Sequence, residues 1–433
     1  MAGVANGTSV PVITARRARA ATAWRDLDGI VVVGAGQPIS IPGGQDQTYP
    51  FRGHADYRWL TGRERPGGVV AFDPADGWVD FVAEVTESER VWEGIEPDDA
   101  AGTQPLAGCA AWIERRTSRK LAALGVPHEG VRGDLDLTRR AAELLLHARR
   151  PKDAGELALV RRAIAATAAG FAAARAATRP GVTERAVQIE LEAAMFRAGA
   201  DDVGYSTLVG SGPNSSVLHF APSSRVICDD DLVLIDAGGA ICGYTADVTR
   251  TFAASGRFTP ERKDLFDVVL DAKGQAIEQC RIGAAWREVH TTAALALSEG
   301  LTSMGLVRGS AESFVEREAI ALFFPHGIGH MVGLGVRDAG GRLPGVPVLG
   351  KCCGVSLRVD LPLAADYLMT VEPGLYFIGA LLRDPARRER FADCLHWTKV
   401  DQLLAMGIGG VRIEDNVLVG SGAPEILTAA IPV

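Results

Sequence analysis

The sequence predicts an α+β protein with a smaller mixed α/β domain at its N-terminus and a larger domain in which helices cover an antiparallel or mixed sheet. A chain of 433 residues is about three times the ~150-residue domain prior, so more than one domain is expected. Patterns typical of helices and of strands occur in separate runs without strict alternation, which argues for an α+β fold in the larger domain.

Residues 1–150 are predicted to form the smaller domain. Short apolar runs between Gly, Pro and Asp turns predict strands, and longer segments with helical apolar spacing predict helices. The strands are expected at 29–34, 68–72 and 78–83, and the helices at 112–124 and 135–149. Pro151 ends the last helix and Asp153 can cap the next one, which places the domain boundary near residue 150.

Residues 151–433 are predicted to form the larger domain. Thr183 is a candidate N-cap and Pro260 occupies a first helical position, and both features mark helix starts. The helices are expected at 156–178, 184–198, 260–281 and 286–304. Segments rich in Val, Ile, Leu, Thr and Tyr predict strands, which are expected at 231–236, 244–252, 367–377 and 410–419.

Charge and composition exclude several classes of function. The net charge of −8, from 45 basic and 53 acidic residues, does not suit a nucleic-acid partner. No apolar stretch is expected to approach the ~18 residues of a membrane span, and no apolar segment precedes the N-terminal arginines, so a cytoplasmic location without membrane contact is expected. The seven cysteines show no CxxC spacing, so neither a disulfide framework nor a thiolate zinc site is predicted.

Two aspartates mark neighbouring strands of the larger domain. Asp236 ends an apolar strand, and Asp247 lies on the next strand among threonines of one face. For either residue alone, a turn edge or a backbone cap is an adequate explanation. Two acids that meet across a hairpin are costly to bury unless a cation lies between them.

Further polar residues follow in the same domain. His326 and His330 lie four residues apart in a glycine-rich segment, a spacing that suits metal ligands and also occurs by chance. Glu372 precedes Pro373, which predicts a bent or frayed strand, and a solvent-facing glutamate is the alternative. Arg412 and Glu414 share one strand face, where a surface salt bridge would be the simpler reading.

Taken together, these residues provide four carboxylates and one imidazole: Asp236, Asp247, His330, Glu372 and Glu414. Four negative charges are balanced by two divalent cations, and a donor set dominated by oxygen suits Mn²⁺, Co²⁺ or Zn²⁺. Two such ions ~3.5–4 Å apart can share a water and lower its pKa towards 7. This combination indicates hydrolysis by a metal-bridging hydroxide.

The ordered motifs resemble those of the pita-bread metallopeptidases. They are Asp236-Ala-Gly-Gly, Ala246-Asp247-Val-Thr-Arg-Thr-Phe, Pro325-His326-Gly-Ile-Gly-His330, Val371-Glu372-Pro-Gly-Leu-Tyr376 and Arg412-Ile-Glu414-Asp. The resemblance extends to the Xaa-Pro branch, which has a creatinase/prolidase-like N-terminal α/β domain, and is strongest to bacterial Xaa-Pro dipeptidase (prolidase). It implies a catalytic domain with a curved, largely antiparallel sheet covered by helices, and a homodimer.

The resemblance also implies roles for individual residues. The five residues above match the metal ligands, with Asp247 and Glu414 bridging both ions and Glu372 also handling the proton of the attacking water. His219 matches a substrate-stabilising histidine, although read alone it suits a core position. His326, Tyr376 and Arg412 match positions that orient ligands or substrate, a role that metal sites require.

One position departs from the family pattern. Arg337 stands where the family has a histidine near the substrate proline. An arginine cannot shuttle protons at neutral pH, but it can bind a carboxylate through two hydrogen bonds. Arg337 is therefore expected either to bind the carboxylate of a dipeptide or to face away.

The function expected from the sequence is hydrolysis of the Xaa-Pro bond, preferentially in dipeptides, with two divalent metal ions per chain and Mn²⁺ favoured over Co²⁺ and Zn²⁺. The nearest alternative is aminopeptidase P, which releases the first residue from longer Xaa-Pro peptides. A non-catalytic module that binds peptides or proteins is a third alternative, disfavoured because all five ligand positions are intact.

Overall fold

The computed structural model describes residues 9–96, 102–126, 130–348 and 350–433, and the chain divides into two compact units, Met1–Arg149 and Arg150–Val433. The first unit contains helices α1 (Val10–Trp24), α2 (Ala55–Thr61), α3 (Glu87–Glu93), α4 (Gly108–Glu114) and α5 (Leu135–Arg149). Its strands are β1 (Ile30–Ala35), β2 (Val69–Asp73), β3 (Gly77–Val82), β4 (Thr103–Pro105) and β5 (Leu121–Val126).

These five strands form one mixed sheet in the order β4-β3-β2-β1-β5. Strand β1 runs antiparallel to β2 and parallel to β5. The side chains of Ile30, Val32 and Phe81 are buried on this sheet and pack with Trp112 of α4. Burial of these apolar side chains supplies the core of the unit.

The helix predicted at 112–124 is wrong. Helix α4 ends at Glu114, and Leu121–Val126 is strand β5, in which Ala122 and Leu124 are buried and pair with β1. Ala and Leu favour helices in isolation, but here pairing with the neighbouring strand overrides that preference.

The second unit contains helices α6 (Ala154–Ala177), α7 (Glu184–Arg197), α8 (Pro260–Glu278), α9 (Trp286–Ser303), α10 (Ala311–Glu316), α11 (Gly379–Leu382), α12 (Pro385–Arg390) and α13 (Trp397–Ala405). Its strands are β6 (Asp202–Val203), β7 (Leu208–Ser211), β8 (Leu232–Ala237), β9 (Gly239–Ile241), β10 (Tyr244–Thr245), β11 (Val248–Ala253), β12 (Gly341–Arg342), β13 (Val359–Asp360), β14 (Leu368–Val371), β15 (Gly374–Tyr376), β16 (Gly410–Arg412), β17 (Asp415–Leu418) and β18 (Glu425–Ile426).

The strands of this unit form short sheets that are mostly antiparallel, including β11-β8-β7, β14-β17-β18 and β15-β16. Helices α6 and α7 cover the first of these, where Phe171 and Leu191 pack against Val233. Helices α8 and α9 cover the other two, where Val269 and Trp286 belong to the largest core cluster. The predicted sheet covered by helices is confirmed.

Three strands that the sequence predicts as continuous are each interrupted. The segment 244–252 breaks between β10 and β11, 367–377 between β14 and β15, and 410–419 between β16 and β17. Only the second break has a clear sequence signal, because Pro373 lacks the N–H that a central strand requires. Asp247, Glu372 and Glu414 lie in these three breaks.

Helix α6 corrects one expectation from the sequence. By length and composition alone it could cross a membrane, with half of its most apolar window buried in the protein. The expectation from the sequence was that no apolar stretch approaches the length of a membrane span. Its buried residues include Leu159, Ala163 and Phe171, which is the pattern of a core helix.

The start of the second unit is tied to the segment that follows His330. The Arg150 guanidinium donates to the backbone carbonyls of Ala339, Gly340 and Arg342. The Lys152 ammonium lies 2.5 Å from Asp338 Oδ2, and both side chains are almost fully buried. A buried ion pair of this kind fixes the position of both chain segments.

Candidate metal centre and active site

Two candidate ligands, Asp236 and Asp247, meet at the hydroxyl of Tyr205. Asp236 lies on β8 in register with Thr249 of β11, two residues after Asp247. Tyr205 Oη lies 2.6 Å from Asp236 Oδ1 and 2.6 Å from Asp247 Oδ1. Because a hydroxyl carries one proton, it donates to only one of the two carboxylates at a time.

His330 presents one ring nitrogen to the carboxylates. Its Nδ1 lies 3.0 Å from the Met331 carbonyl oxygen and donates to it, which assigns the neutral tautomer with a free lone pair on Nε2. That Nε2 lies 3.4 Å from Asp247 Oδ2 and 3.7 Å from Glu372 Oε1. Burial lowers the pKa of His330 to about 4. A neutral imidazole held by its other nitrogen is the form that binds metal ions.

Glu414 completes a compact group with Asp247 and His330. The potential ligand atoms of these three residues all lie within 4.8 Å of one another, and all three side chains are buried. Burial, reinforced by repulsion between neighbouring carboxylates, raises the pKa of Asp247 and of Glu414 well above their ordinary values. Burial also raises the pKa of Glu372 to about 7.

This donor set fits two divalent cations. Several largely buried carboxylates crowded together are costly unless positive charge lies among them. Oxygen donors with one imidazole nitrogen suit Mn²⁺, Co²⁺ or Zn²⁺. The geometry supports Asp236, Asp247, His330, Glu372 and Glu414 as the residues that would hold these ions, and their role as ligands stays a prediction.

Arg412 stabilises the arrangement of the candidate ligands through hydrogen bonds. Its guanidinium donates to Asp236 Oδ2 at 2.5 Å, to Tyr376 Oη at 3.0 Å and to Thr249 Oγ1 at 3.0 Å. Both Arg412 and Glu414 are buried, at 4% and 1% exposure, so a surface salt bridge does not describe this pair. A planar guanidinium with several fixed donors is suited to holding such a network.

His326 and Tyr376 form one side of the same network. His326 Nδ1 lies 2.9 Å from the Gly327 carbonyl oxygen, and His326 Nε2 lies 2.8 Å from Tyr376 Oη. With the proton on Nδ1, Nε2 accepts the tyrosine hydroxyl. Burial lowers the pKa of His326 to about 3, with the nearby Arg412 charge as the next cause. His326 is therefore a neutral side chain at the edge of the candidate centre.

The backbone of each interrupted strand is paired elsewhere. Glu372 N donates to the Ile328 carbonyl at 2.8 Å, Glu414 N to the Thr249 carbonyl at 3.0 Å, and Asp247 N to Asn416 Oδ1 at 3.1 Å. These bonds join segments that are distant in sequence at the positions of the candidate ligands. The breaks thus replace ladder pairing with bonds that fix the three carboxylates relative to one another.

Glycines allow the close approach of chain segments beside two candidate ligands. A Cβ at Gly238 would lie 1.8 Å from the Ala246 carbonyl oxygen, and one at Gly329 would lie 2.1 Å from the Thr370 carbonyl oxygen. Both distances are impossible for a real Cβ contact. Glycine is therefore required at both positions for Asp236 and His330 to reach the cluster.

All five candidate ligands line one cavity of about 1090 Å³ in the second unit. His219, His326 and Arg337 line the same cavity. His219 is exposed, so the alternative prediction of a core position for this histidine is wrong. Arg337 is also exposed. The cavity therefore brings every residue selected from the sequence to one site, together with Tyr376 through its bond to His326.

Two residues of this site escaped the sequence analysis. One is Tyr205, described above. The other is Glu184, a fully buried side chain whose carboxylate accepts hydrogen bonds from Ser211, Asn214 and Ser223. Those residues flank the segment that carries His219. The only available signal was Glu184 following the N-cap Thr183, which equally predicts an ordinary first helical turn.

Comparison with protein families identifies the chain. The family model described as metallopeptidase family M24 matches residues 158–421, and the model described as aminopeptidase P, N-terminal domain, matches residues 13–115. The chain belongs to metallopeptidase family M24. Members of this family use divalent metal ions, which agrees with the donor set of the candidate centre.

Curated M24 relatives extend along nearly the whole chain. It is 31% identical to a probable Xaa-Pro aminopeptidase pepP of Botryotinia fuckeliana, over 94% of this chain and 90% of that protein. It is 29% identical to a probable Xaa-Pro aminopeptidase PEPP of Paracoccidioides lutzii, over 93% and 90%. The relationship therefore includes both units.

Solved structures show the same pita-bread M24 fold. Proline aminopeptidase P II from Yersinia pestis matches with a TM-score of 0.78 and 25% identity, over 98% of this chain and 97% of that chain. Pseudomonas aeruginosa aminopeptidase PepP matches with a TM-score of 0.77 and 25% identity, over 97% and 95%. The fold class predicted from the sequence is confirmed.

Proposed function

We propose that this chain is an Xaa-Pro aminopeptidase, a metal-dependent hydrolase that releases the residue preceding a proline at the N-terminus of a peptide. The observation that carries the proposal is the gathering of four carboxylates and His330 in one cavity with His219 and His326. A non-catalytic binding module has no need of this crowded donor set. Membership of family M24 supports the same reading.

Aminopeptidase P has better support than the dipeptidase favoured from the sequence. The curated relatives that cover both units are named Xaa-Pro aminopeptidases. The cavity of about 1090 Å³ is slightly larger than the ~300–1,000 Å³ of typical small-molecule sites. Such a cavity has room for a chain that continues beyond proline.

A proline substrate imposes its own requirement. The Xaa-Pro bond is a tertiary amide without an N–H, and its ring fixes φ, so it fits poorly in sites that pair with an extended peptide backbone. Side chains on the cavity wall must position it instead. His219, His326 and Arg337 are the candidates, because they line the cavity beside the carboxylates.

The bound metal ions would polarise the scissile carbonyl and supply a water of lowered pKa. Glu372 would accept the proton of the attacking water at its carboxylate and deliver it to the departing proline nitrogen. His219 would hold the carbonyl oxygen as negative charge develops on it. Arg412 and Tyr376 keep Asp236 and His326 in place through the hydrogen bonds described above.

Arg337 is proposed to bind a carboxylate of the peptide. It is exposed and lines the cavity near His330 and Glu372, and its guanidinium can bind a carboxylate through two hydrogen bonds. In Arg337→Ala and Arg337→His, we expect KM for short peptides to rise. Unchanged kinetic constants for both dipeptides and tripeptides would contradict this role.

Three further expectations complete the proposal. Mn²⁺ is proposed as the ion in use, on the basis of the oxygen-rich donor set. A homodimer and a cytoplasmic location are proposed from the resemblance and from the N-terminal sequence. Sedimentation of the purified chain and fractionation of cells that express it would test these two proposals.

The central test is hydrolysis by metal-stripped protein with and without Mn²⁺, using an Xaa-Pro dipeptide and an Xaa-Pro-Xaa tripeptide. We expect cleavage of the tripeptide, its loss on chelation and its recovery on addition of Mn²⁺, with none in Asp247→Asn. Cleavage of the dipeptide alone would restore the prolidase assignment. Failure to cleave either peptide with any of Mn²⁺, Co²⁺ and Zn²⁺ would overturn the proposal.

A further inference from the structure

A second group of metal-binding side chains lies outside the cavity of the candidate site. It consists of His290 on α9 and the adjacent Cys352 and Cys353, which lie between β12 and β13. One ring nitrogen of the histidine and the two sulfur atoms lie within 4.8 Å of one another. We refer to these three residues as the thiol cluster.

His290 has no evident structural reason to be polar. Its side chain is fully buried, and neither ring nitrogen makes a hydrogen bond of normal geometry within the part of the chain that the structure describes. Burial lowers the pKa of His290 to about 4, against a smaller opposing effect of the Cys352 backbone. A buried imidazole whose hydrogen bonds are poorly satisfied is costly, and the contact with the Cys352 backbone places this ring directly beside the two cysteines.

The two thiols are held on the same side by a tight turn. Adjacent side chains point in opposite directions in an extended chain, but Cys353 adopts a φ of +49°. Cys352 and Val355 exchange two backbone hydrogen bonds, at 2.8 and 3.0 Å, which close the turn. Both cysteines are free, and their sulfur atoms lie 3.6 and 3.8 Å from the Thr291 hydroxyl.

The surroundings favour a thiolate at one of these sulfurs. The hydrogen bond from the Cys353 thiol lowers the pKa of Cys352 to about 6, and the nearby Arg287 charge adds to this effect. The pKa of Cys353 is raised by the same bond and by burial. The proposal does not depend on this shift, because the geometry alone brings one ligand atom from each of the three side chains together.

We propose that His290, Cys352 and Cys353 bind one thiophilic divalent cation, of which Zn²⁺ is the biological representative. Two sulfur ligands and one imidazole nitrogen match the soft donor set that selects such an ion. A fourth tetrahedral position is open to water, because Cys353 is partly exposed. Binding joins the cation to one ring nitrogen of His290 and to the sulfur atoms of Cys352 and Cys353, and releases to solvent every proton that the two thiols carry.

The thiol cluster is connected to the candidate active site by aromatic contacts. The ring centroids of His290 and Phe324 lie 5.2 Å apart, and those of Phe324 and His326 lie 4.8 Å apart. A cation in the cluster would thus lie behind the wall of the cavity and not within it. Its loading can be measured separately from that of the five oxygen- and nitrogen-donor residues.

The test uses the reduced full-length chain under anaerobic conditions, saturated with Mn²⁺ and then titrated with Co²⁺ as an optical substitute for Zn²⁺. We expect one equivalent of Co²⁺ to give sulfur-to-cobalt charge-transfer absorption, which carboxylate and imidazole ligands do not produce. Cys352→Ser and Cys353→Ser should each reduce this absorption at least tenfold at a fixed Co²⁺ concentration. The matched control Cys228→Ser, which alters an exposed thiol outside the cluster, should leave it unchanged.

A second measurement requires no variant. Added Zn²⁺ should protect Cys352 and Cys353 from alkylation, measured by peptide mass spectrometry, while Cys228 stays reactive. Absence of charge-transfer absorption and of protection in the unaltered chain would overturn the proposal. So would absorption that persists in the Cys352→Ser/Cys353→Ser double variant, because this would locate the bound cobalt at other thiols. Neither measurement depends on peptide hydrolysis, so the outcome is independent of the proposed function.

Discussion

At the scale of single residues, the hydroxyl of Tyr205 is the contact with the most direct consequence for the candidate centre. It lies 2.6 Å from one oxygen of Asp236 and from one oxygen of Asp247, and burial raises its pKa well above the ordinary value. The group therefore stays protonated and acts as a donor. Through this donor it sets which carboxylate oxygens are free to face a metal ion.

For Tyr205→Phe we expect a folded protein with metal affinity or kcat/KM reduced roughly 10–100-fold, the usual cost of removing a group that orients metal ligands. The reason is that both aspartates lose their common hydrogen-bond donor. The measurement is tripeptide hydrolysis across a Mn²⁺ titration. Wild-type values for both quantities would show that the hydroxyl does not orient the ligands.

The candidate metal ligands could be predicted from the sequence because their residue types and their order along the chain indicate a metal centre. Four acids and a histidine in ordered motifs indicated a hydrolytic metal centre before any geometry was available. Tyr205 could not be found in the same way, since a lone tyrosine after a glycine has many possible partners. Which carboxylates a hydroxyl meets is decided by the packing of segments that are distant in sequence.

At the scale of elements, the start of α7 holds the segment that carries His219. Glu184 lies in the first turn of α7 and receives hydrogen bonds from both sides of that segment, from Ser211 at 2.7 Å and from Ser223 Oγ at 2.5 Å. The hydrogen-bond donors lower the pKa of Glu184 despite the opposing effect of its burial. The helix terminus thus acts as a support for the cavity wall.

For Glu184→Gln we expect the unfolding free energy to fall by about 1.5–3 kcal/mol, the range for hydrogen bonds to charged groups, and KM for the tripeptide to rise because His219 loses its support. Urea denaturation and steady-state kinetics measure the two effects. The control is Glu190→Gln, an exposed position on the same helix, which should change neither. Equal stability and equal KM in the two variants would contradict a supporting role for Glu184.

Helices with clear end signals were the most predictable elements. The predictions at 135–149 and 184–198 agree with α5 and α7 within one residue, because the apolar spacing and the caps are local properties. The breaks at Asp247 and Glu414 could not be predicted, since the surrounding residues favour strand throughout. At these two breaks the regular strand pairing stops. The backbone N–H of Asp247 bonds to Asn416 and that of Glu414 bonds to Thr249, and no local sequence pattern reveals these bonds.

At the scale of the whole molecule, a buried charge triad joins distant parts of the second unit. Asp415 on β17 lies 2.8 Å from the Arg250 guanidinium of β11 and pairs with the Lys273 ammonium of α8. All three side chains are almost fully buried. Removing the anion leaves two cations without their partner in a region that excludes water.

For Asp415→Asn we expect a loss of about 3–5 kcal/mol in unfolding free energy, the range for breaking a buried ion pair. Chemical denaturation followed by circular dichroism measures it. The matched control is Glu425→Gln, which breaks an exposed pair with Arg161 and should change the unfolding free energy by less than ~1 kcal/mol. A smaller loss for Asp415→Asn than for Glu425→Gln would contradict this assignment.

The buried contacts of the second unit also extend beyond the segment that is defined by family similarity. The M24 match covers 158–421 and contains all five candidate ligands. Arg150 and Lys152, which hold the segment after His330, precede it. The carbonyl of Ile431, which receives the Arg250 guanidinium, follows it. A polypeptide trimmed to the matched limits would keep every reactive group and lose the bonds that set the spacing between those groups.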